Sequence, residues 1–234
     1  MTEPNKRLAI IPARSGSKRI KNKNIKFFFG KPIISYSIKA SQESGLFDEI
    51  MVSTNCSNIS SIAVEHGAKV PFLRSEENST DNAILVDVLT EVLQTYEKSG
   101  LFFSHVCCIF ATAPMITAKE LIAGWQLLLK TEADSVIPVV PFTHPIQRAF
   151  KIQDNNHLDW FFPEFQLTKT QDLALSYHDA GLFYWVNSKT LLQKGQIYTN
   201  NTQALVFNQD AVEDIDTEQD WVRAEQKFKN KFLK

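Results

Sequence analysis

Residues 12 to 24 read PARSGSKRIKNKN. The stretch holds five cations (Arg14, Lys18, Arg19, Lys21 and Lys23) and no acid, in a chain of formal net charge −1. Like charges crowded into one loop repel unless a counter-charge joins them, so a local anion is the natural partner. Gly16 permits a tight turn with exposed N–H groups, and Ser17 adds a hydroxyl donor. With Arg and Lys around them, these groups form an anion nest suited to a polyphosphate. Near the other end, VEDIDT sets Asp214 and Asp216 two apart in an extended stretch. That spacing puts both carboxylates on one face, where they can converge on one hard cation such as Mg²⁺. Each half alone has a plainer reading. A charge run is commonly a solvated basic turn, and acids ahead of a helix favour its N-terminus, here capped by Thr217. Taken together, a polyphosphate nest and a carboxylate pair point to a nucleoside triphosphate with Mg²⁺.

Two familiar phosphate loops do not apply. Neither G-x-x-x-x-G-K-[ST] nor G-x-G-x-x-G occurs around Gly16. Near-zero net charge excludes a general polyanion binder, and no aromatic–basic interleaving supports a nucleic-acid partner. No apolar run approaches a membrane span. The first residues carry too short an apolar stretch for a secretion signal, and three cysteines without metal spacing suit a reducing compartment, so a cytoplasmic enzyme is expected.

The elements that must position these groups alternate. With 234 residues and 44% hydrophobic content, the chain can form a single α/β domain over 1–234. RLAIIPA reads as a buried strand, and PIISYSIKASQES as a helix with Pro32 at its first position and Gly45 as its stop. EIMVST reads as a strand, SNISSIAVEHG as a helix begun by Ser57, and AKVPFLR as a short strand. DNAILVDVLTEVLQTYEKSG follows as a helix capped by Asp81. HVCCIFATAP is a continuous apolar strand, TAKELIAGWQLLLK a helix with a capping box, and DSVIPVV another strand. Alternation of this kind implies βαβ units and an open, mostly parallel sheet flanked by helices, with ligands bound beyond the strands' carboxyl ends. The basic loop lies there. Residues 141–178 break the rhythm with a turn signal at Asn155-Asn156 and many aromatics, either a β excursion on its own core or an arm that covers the site or joins two subunits. GLFYWVN returns to strand, and DIDTEQDWVRAEQKF ends the pattern as a helix.

IIPARSGSKRIKNKNI closely resembles the N-terminal signature of the sugar-acid cytidylyltransferases, the CMP–sialic acid synthetases and their relatives. STNCSNISSIAVEHGAKVPFLR resembles their second βαβ unit, and VEDIDTEQDWVRAE their metal motif. The resemblance implies a Rossmann-like nucleotidyltransferase fold with a β-rich dimerisation arm, hence a homodimer. It implies a reaction of CTP with an acidic nine-carbon sugar, a nonulosonic acid, to give CMP-sugar and pyrophosphate. By position, Arg14, Ser17, Lys18 and Lys23 match triphosphate-holding residues, with Ala13 in the same nucleotide segment. Asn24 matches a residue near the cytosine, Arg74 a nucleotide-proximal arginine, and Asp214 and Asp216 the Mg²⁺ carboxylates.

FATAP at 110–114 stands where the N-acetylneuraminate enzymes carry Q-P-T-S-P, so Phe110 and Ala113 replace a glutamine and a serine. THPIQRAF and YHDAGLFYW look instead like the branch that uses pseudaminic acid. Legionaminic or N-acetylneuraminic acid, or a non-catalytic nucleotide-binding regulator, are the alternatives. An arginine fork is the natural partner of the sugar carboxylate, which makes Arg148 a candidate, with Gln147 beside it for hydroxyl or N-acyl groups. His178 and Asp179 could orient or deprotonate the sugar hydroxyl, or form a structural hydrogen bond.

Overall fold

Along β1 (Arg7–Pro12), Leu8 and Ile10 point to one face and Ala9 and Ile11 to the other, and all four are fully buried. A strand apolar on both faces belongs inside a sheet covered on both sides. The computed structural model, which describes residues 6–233, shows that arrangement. The further strands are β2 (Phe27–Phe28), β3 (Lys31–Pro32), β4 (Glu49–Ser53), β5 (His105–Ile109), β6 (Ser135–Pro141), β7 (Phe150–Ile152) and β8 (Leu158–Trp160). After them come β9 (Tyr177–Asp179), β10 (Phe183–Asn187) and β11 (Thr202–Val206). The helices are α1 (Ile34–Ser44), α2 (Ser57–Glu65), α3 (Leu85–Lys98), α4 (Ala118–Thr131), α5 (Ser188–Lys194) and α6 (Glu218–Phe232).

The main sheet runs β11-β6-β10-β5-β1-β4. β4, β1 and β5 are mutually parallel, as are β6 and β11, while β10 is antiparallel to both neighbours. β9 continues the line of β10 against the far end of β6. One face packs against α1, α2 and α4, and the other against α3 and α5. A third cluster lies outside the sheet. It joins Phe28 and Ile33, on either side of the β2–β3 hairpin, to Trp221, Ala224 and Phe228 of α6, and it takes in Ile20 and Ile215.

The mostly parallel α/β sheet matches the expectation, the capping box forms at Thr117–Glu120, and Thr217 caps the last helix in a second box with Asp220. The hairpin around Asn155 and Asn156 joins β7 to β8, with Asn156 at φ 60°. Other readings need correction. AKVPFLR is not a strand: only Lys69 bridges Met51, because Pro71 offers no N–H and the chain turns away. Pro32 lies in β3, ahead of the helix that opens at Ile34. Asp81 caps nothing, since α3 opens at Leu85 with Ile84 as its N-cap.

Gly124 shows how closely α4 approaches the sheet. A Cβ there would meet Phe183 Cε2 at 2.8 Å and Trp185 Cδ1 at 2.9 Å. Both rings are fully buried and cannot swing into solvent. Overpacking of this kind costs about 1–3 kcal/mol, against roughly 1 kcal/mol gained in helix propensity. Gly124→Ala is therefore expected to lower the thermal midpoint by a few degrees, at about 2–4 °C per kcal/mol. An unchanged or higher midpoint in thermal unfolding would show that the contact is not tight.

Candidate active site

β1 and β5 end side by side, and the loops that follow them wall a cleft of about 490 Å³. Its floor and flanks come from the basic loop, from Phe110–Thr112 after β5, and from residues 74–88 ahead of and within α3. This is the carboxyl-end crevice of an open α/β sheet. The loop leaves β1 still tied to β4, through the Ala13 N–H donating to the Ser53 carbonyl at 2.9 Å. Ser15 N–H donates to Asn55 Oδ1 at 3.1 Å, and Asn24 Nδ2 closes the loop by donating to the Arg14 carbonyl at 3.0 Å. Gly16, at φ +86°, takes the left-handed turn that a side chain would strain.

Of the residues singled out in the loop, Arg14, Ser17, Lys18, Lys23 and Asn24 line the cleft, and so does Arg19, a cation of the loop to which the resemblance gave no role. Ala13 does not line the cleft: it is fully buried, and its N–H is spent on Ser53. The cations are paired with carboxylates at both ends of the cleft. Asp81 meets Arg14 at 2.6 Å and Lys18 at 2.5 Å, and these bonds hold its carboxyl below the usual range. Asp216 meets Arg19 at 3.0 Å and Lys23 at 3.1 Å. Lys23 Nζ also donates to the Ile215 carbonyl at 2.6 Å.

Arg74 is the deep cation of the cleft, 8% exposed. Its Nε donates to Ser53 Oγ at 2.9 Å and a terminal nitrogen donates to the Ser53 carbonyl. Burial lowers its pKa to about 10, while Glu91 opposes the fall. The Glu91 carboxylate also accepts from Ser75 N–H and Oγ, each at 2.8 Å, and from Asn78, so it holds the loop that carries Arg74.

The second half of the site arrives from the far end of the chain. Ile215 is fully buried between Asp214 and Asp216, which both reach solvent, and the two carboxylates lie near enough for the Asp216 charge to act on Asp214. Asp216 lines the cleft; Asp214 lies beside it, packed over Gly181. Although Asp214 keeps an exposed edge, lost hydration and then the Asp216 charge push its carboxyl above the ordinary range. Among the described residues, no three His, Cys, Asp or Glu side chains form a ready-made metal site.

The arm residues lie elsewhere. Arg148 spends its guanidinium on the Gln166 and Thr168 carbonyls and stacks over Trp160, while Gln147 Nε2 donates to the Ala174 carbonyl. Neither lines the cleft within one chain. His178 and Asp179 form no ring–carboxylate dyad. His178 Nδ1 meets the Asp179 carbonyl at 2.9 Å, and the Asp179 carboxylate accepts from Gly181 N–H, Tyr184 and Tyr198. Neighbours on a strand point to opposite faces, which the sequence pair HD conceals. Phe110 does line the cleft, edge-on to Tyr184, but Ala113 is buried in the core and changes no wall. Sequence reasoning missed Asn78, Thr80 and Asp81, although the polar run ENSTDN ahead of α3 marked a loop with side chains to spare.

The chain is 39% identical over 215 residues to a pseudaminic acid cytidylyltransferase of Campylobacter jejuni, covering 92% of this chain and 93% of that one. It is 31% identical over 221 residues to a CMP-N,N'-diacetyllegionaminic acid synthase of Legionella pneumophila, covering 93% and 94%. Among solved structures, a CMP:2-keto-3-deoxy-manno-octonic acid synthetase complexed with CTP superposes with a TM-score of 0.73 over 97% of this chain and 100% of that one. Its sequence identity is 15%, so this likeness establishes the fold. The family model described as cytidylyltransferase matches residues 8–231, and with these relatives it shows that the chain belongs to the cytidylyltransferase family.

Proposed function

We propose that the chain transfers CMP from CTP to the anomeric hydroxyl of a nonulosonic acid, pseudaminic acid, and releases pyrophosphate. The observation that carries the reaction is the cleft at the ends of β1 and β5, where Arg14, Lys18, Arg19, Lys23 and Arg74 converge beside Asp216. The choice of sugar rests on the 39% identity to the Campylobacter jejuni enzyme, against 31% for the legionaminic acid synthase.

The sugar oxygen forms a bond to the α-phosphorus as the bond to pyrophosphate breaks in line. The barrier is charge and alignment, so preorganised positive potential is the protein's contribution. Arg14 and Lys18 exchange Asp81 for β- and γ-phosphate oxygens. Arg74, already fixed by Ser53, needs no reordering to meet a phosphate or ribose oxygen. Lys23, held by Ile215 and Asp216, is placed to stabilise charge at the α-phosphoryl group, and Asn24 stands towards the cytosine side. Asp214 and Asp216 would hold Mg²⁺, and the like-charge pair fits an ion that takes one or two carboxylates and completes its shell with phosphate and water. When bound, Mg²⁺ neutralises phosphate charge and acidifies the attacking hydroxyl.

The same reading extends to a homodimer joined by residues 141–178. Phe142, Ile146, Phe150, Phe161, Leu167 and Leu175 expose apolar surface on this arm, and Gln147 Oε1 is buried without a partner. A second copy would cover that surface and bring Gln147 or Arg148 near a neighbour's sugar site. A cytoplasmic location is supported by three free cysteines, Cys56, Cys107 and Cys108, and no helix of the described residues is long and apolar enough to cross a membrane.

A pyrophosphate-release assay over a panel of nonulosonic acids tests the reaction. CMP-pseudaminic acid should form readily, with N-acetylneuraminic acid a poor substrate. Comparable kcat/KM for the two sugars removes the specificity, and no sugar-dependent release on any of them removes the reaction. Within the loop, Lys23→Ala should lower kcat on the order of 100-fold, about 3 kcal/mol, with a smaller effect on CTP binding. Arg14→Ala should weaken CTP binding itself, because the ground-state triphosphate already meets it. Small, equal effects from both variants would return the loop to a solvated turn. Light scattering at micromolar concentration should give twice the 26.6 kDa chain mass, and a fully active monomer would discard the arm's role.

A further inference from the structure

β9 and β10 are one antiparallel line against β6 interrupted at Ala180–Leu182, and the interruption faces the C-terminal carboxylates. Gly181 turns there with φ +62°. Its N–H donates to Asp179 Oδ1 at 2.7 Å, and the other oxygen of Asp179 accepts from Tyr184 and, at 2.7 Å, from Tyr198. Three donors on one carboxylate leave it little freedom to move. A Cβ on Gly181 would stand 2.9 Å from Asp214 Cγ and 3.1 Å from its Oδ1. The next residue, Ile215, is fully buried and its carbonyl is held by Lys23, so the backbone of this segment has no room to retreat. Any atom added at Gly181 must therefore displace the Asp214 carboxylate itself.

We infer that Asp179 and Gly181 are positioning residues for the metal site: Asp179 fixes the turn, and the bare face of Gly181 sets where the Asp214 carboxylate sits. This deepens the proposed function and rests on its assignment of Asp214 as a Mg²⁺ ligand. It also replaces the expectation that Asp179 acts on the sugar hydroxyl.

Three variants test it with two readouts apart from turnover, namely Mn²⁺ affinity by electron paramagnetic resonance and metal-free CTP affinity by calorimetry. Disturbing groups that orient a metal ligand typically weakens metal binding by about 10–100-fold. Gly181→Ala is expected to do so while metal-free CTP affinity stays within about twofold, since Asp214 lies outside the triphosphate cations. Asp179→Ala should follow it, and Tyr198→Phe, which removes one of three donors from an exposed ring, should show a smaller loss with the same separation. Asp214→Asn is the control. If Asp214→Asn keeps Mn²⁺ affinity, the ligand assignment fails and this inference with it. If Asp214→Asn loses Mn²⁺ while folded Gly181→Ala and Asp179→Ala retain it, the positioning inference alone is overturned. Should thermal unfolding show that Gly181→Ala and Asp179→Ala do not fold, Tyr198→Phe decides: equal loss of metal and CTP affinity, or loss of neither, rejects the clamp.

Discussion

A loop that gathers five cations is under constant electrostatic pressure to open, and the burial of Ile20 within it is what resists that pressure. Ile20 shares one apolar cluster with Ile215, Phe28, Trp221 and Phe228. Burying side chains of this size is worth roughly 1.5–3 kcal/mol each, more than exposed ion pairs return. The same cluster brings the Asp214–Asp216 segment against the loop, so apolar packing decides where opposite charges meet. Asp81 and Asp216 then temper the repulsion from two sides. Without the cluster, neither half of the site would have a fixed distance from the other.

The sheet supplies the rest of the frame by ending two parallel strands together. β1 and β5 are parallel neighbours, Arg7 opposite His105 and Ile10 opposite Cys108, and both are buried between the two helix layers. The antiparallel β10 divides the sheet into a part that borders the cleft (β5, β1 and β4) and a part formed by β6 and β11, from which the arm departs. Because β9 returns from the arm directly into the Gly181 turn, the arm is mechanically close to the carboxylates although its own side chains lie away from the cleft.

The alternation of apolar strands and amphipathic helices was legible because it is local, and so were the capping box at Thr117, the Thr217 cap and the Asn155-Asn156 turn. The basic loop was legible through charge, and its partner segment through the two-residue spacing of Asp214 and Asp216. What escaped were features created by distance. Asp81 looked like a cap because a carboxylate ahead of a helix usually is one, and nothing nearby in sequence announced Arg14 and Lys18 as its partners. β11 and α5 were not read from the sequence: the strand, TQALV, opens on two adjacent polar residues and buries none of its five, and the helix spans only two turns. His178 and Asp179 looked like a pair because adjacency in sequence was mistaken for adjacency of side chains.

The hydrogen bond from Lys23 to the Ile215 carbonyl spans 192 residues. During synthesis the basic loop therefore leaves the ribosome long before its counterpart exists, and Ile20 waits without a lining. Closing a contact of that separation costs more chain entropy than pairing β1 with β4, where Leu8 meets Glu49. Until the Ile215 segment and α6 dock, Ile20 and Phe28 lack their apolar cover and the loop lacks the Asp216 counter-charge. The extended segment that bears Asp214 and Asp216 runs straight into α6, so the packing of Trp221 and Phe228 on Phe28 is also what seats both carboxylates beside the loop.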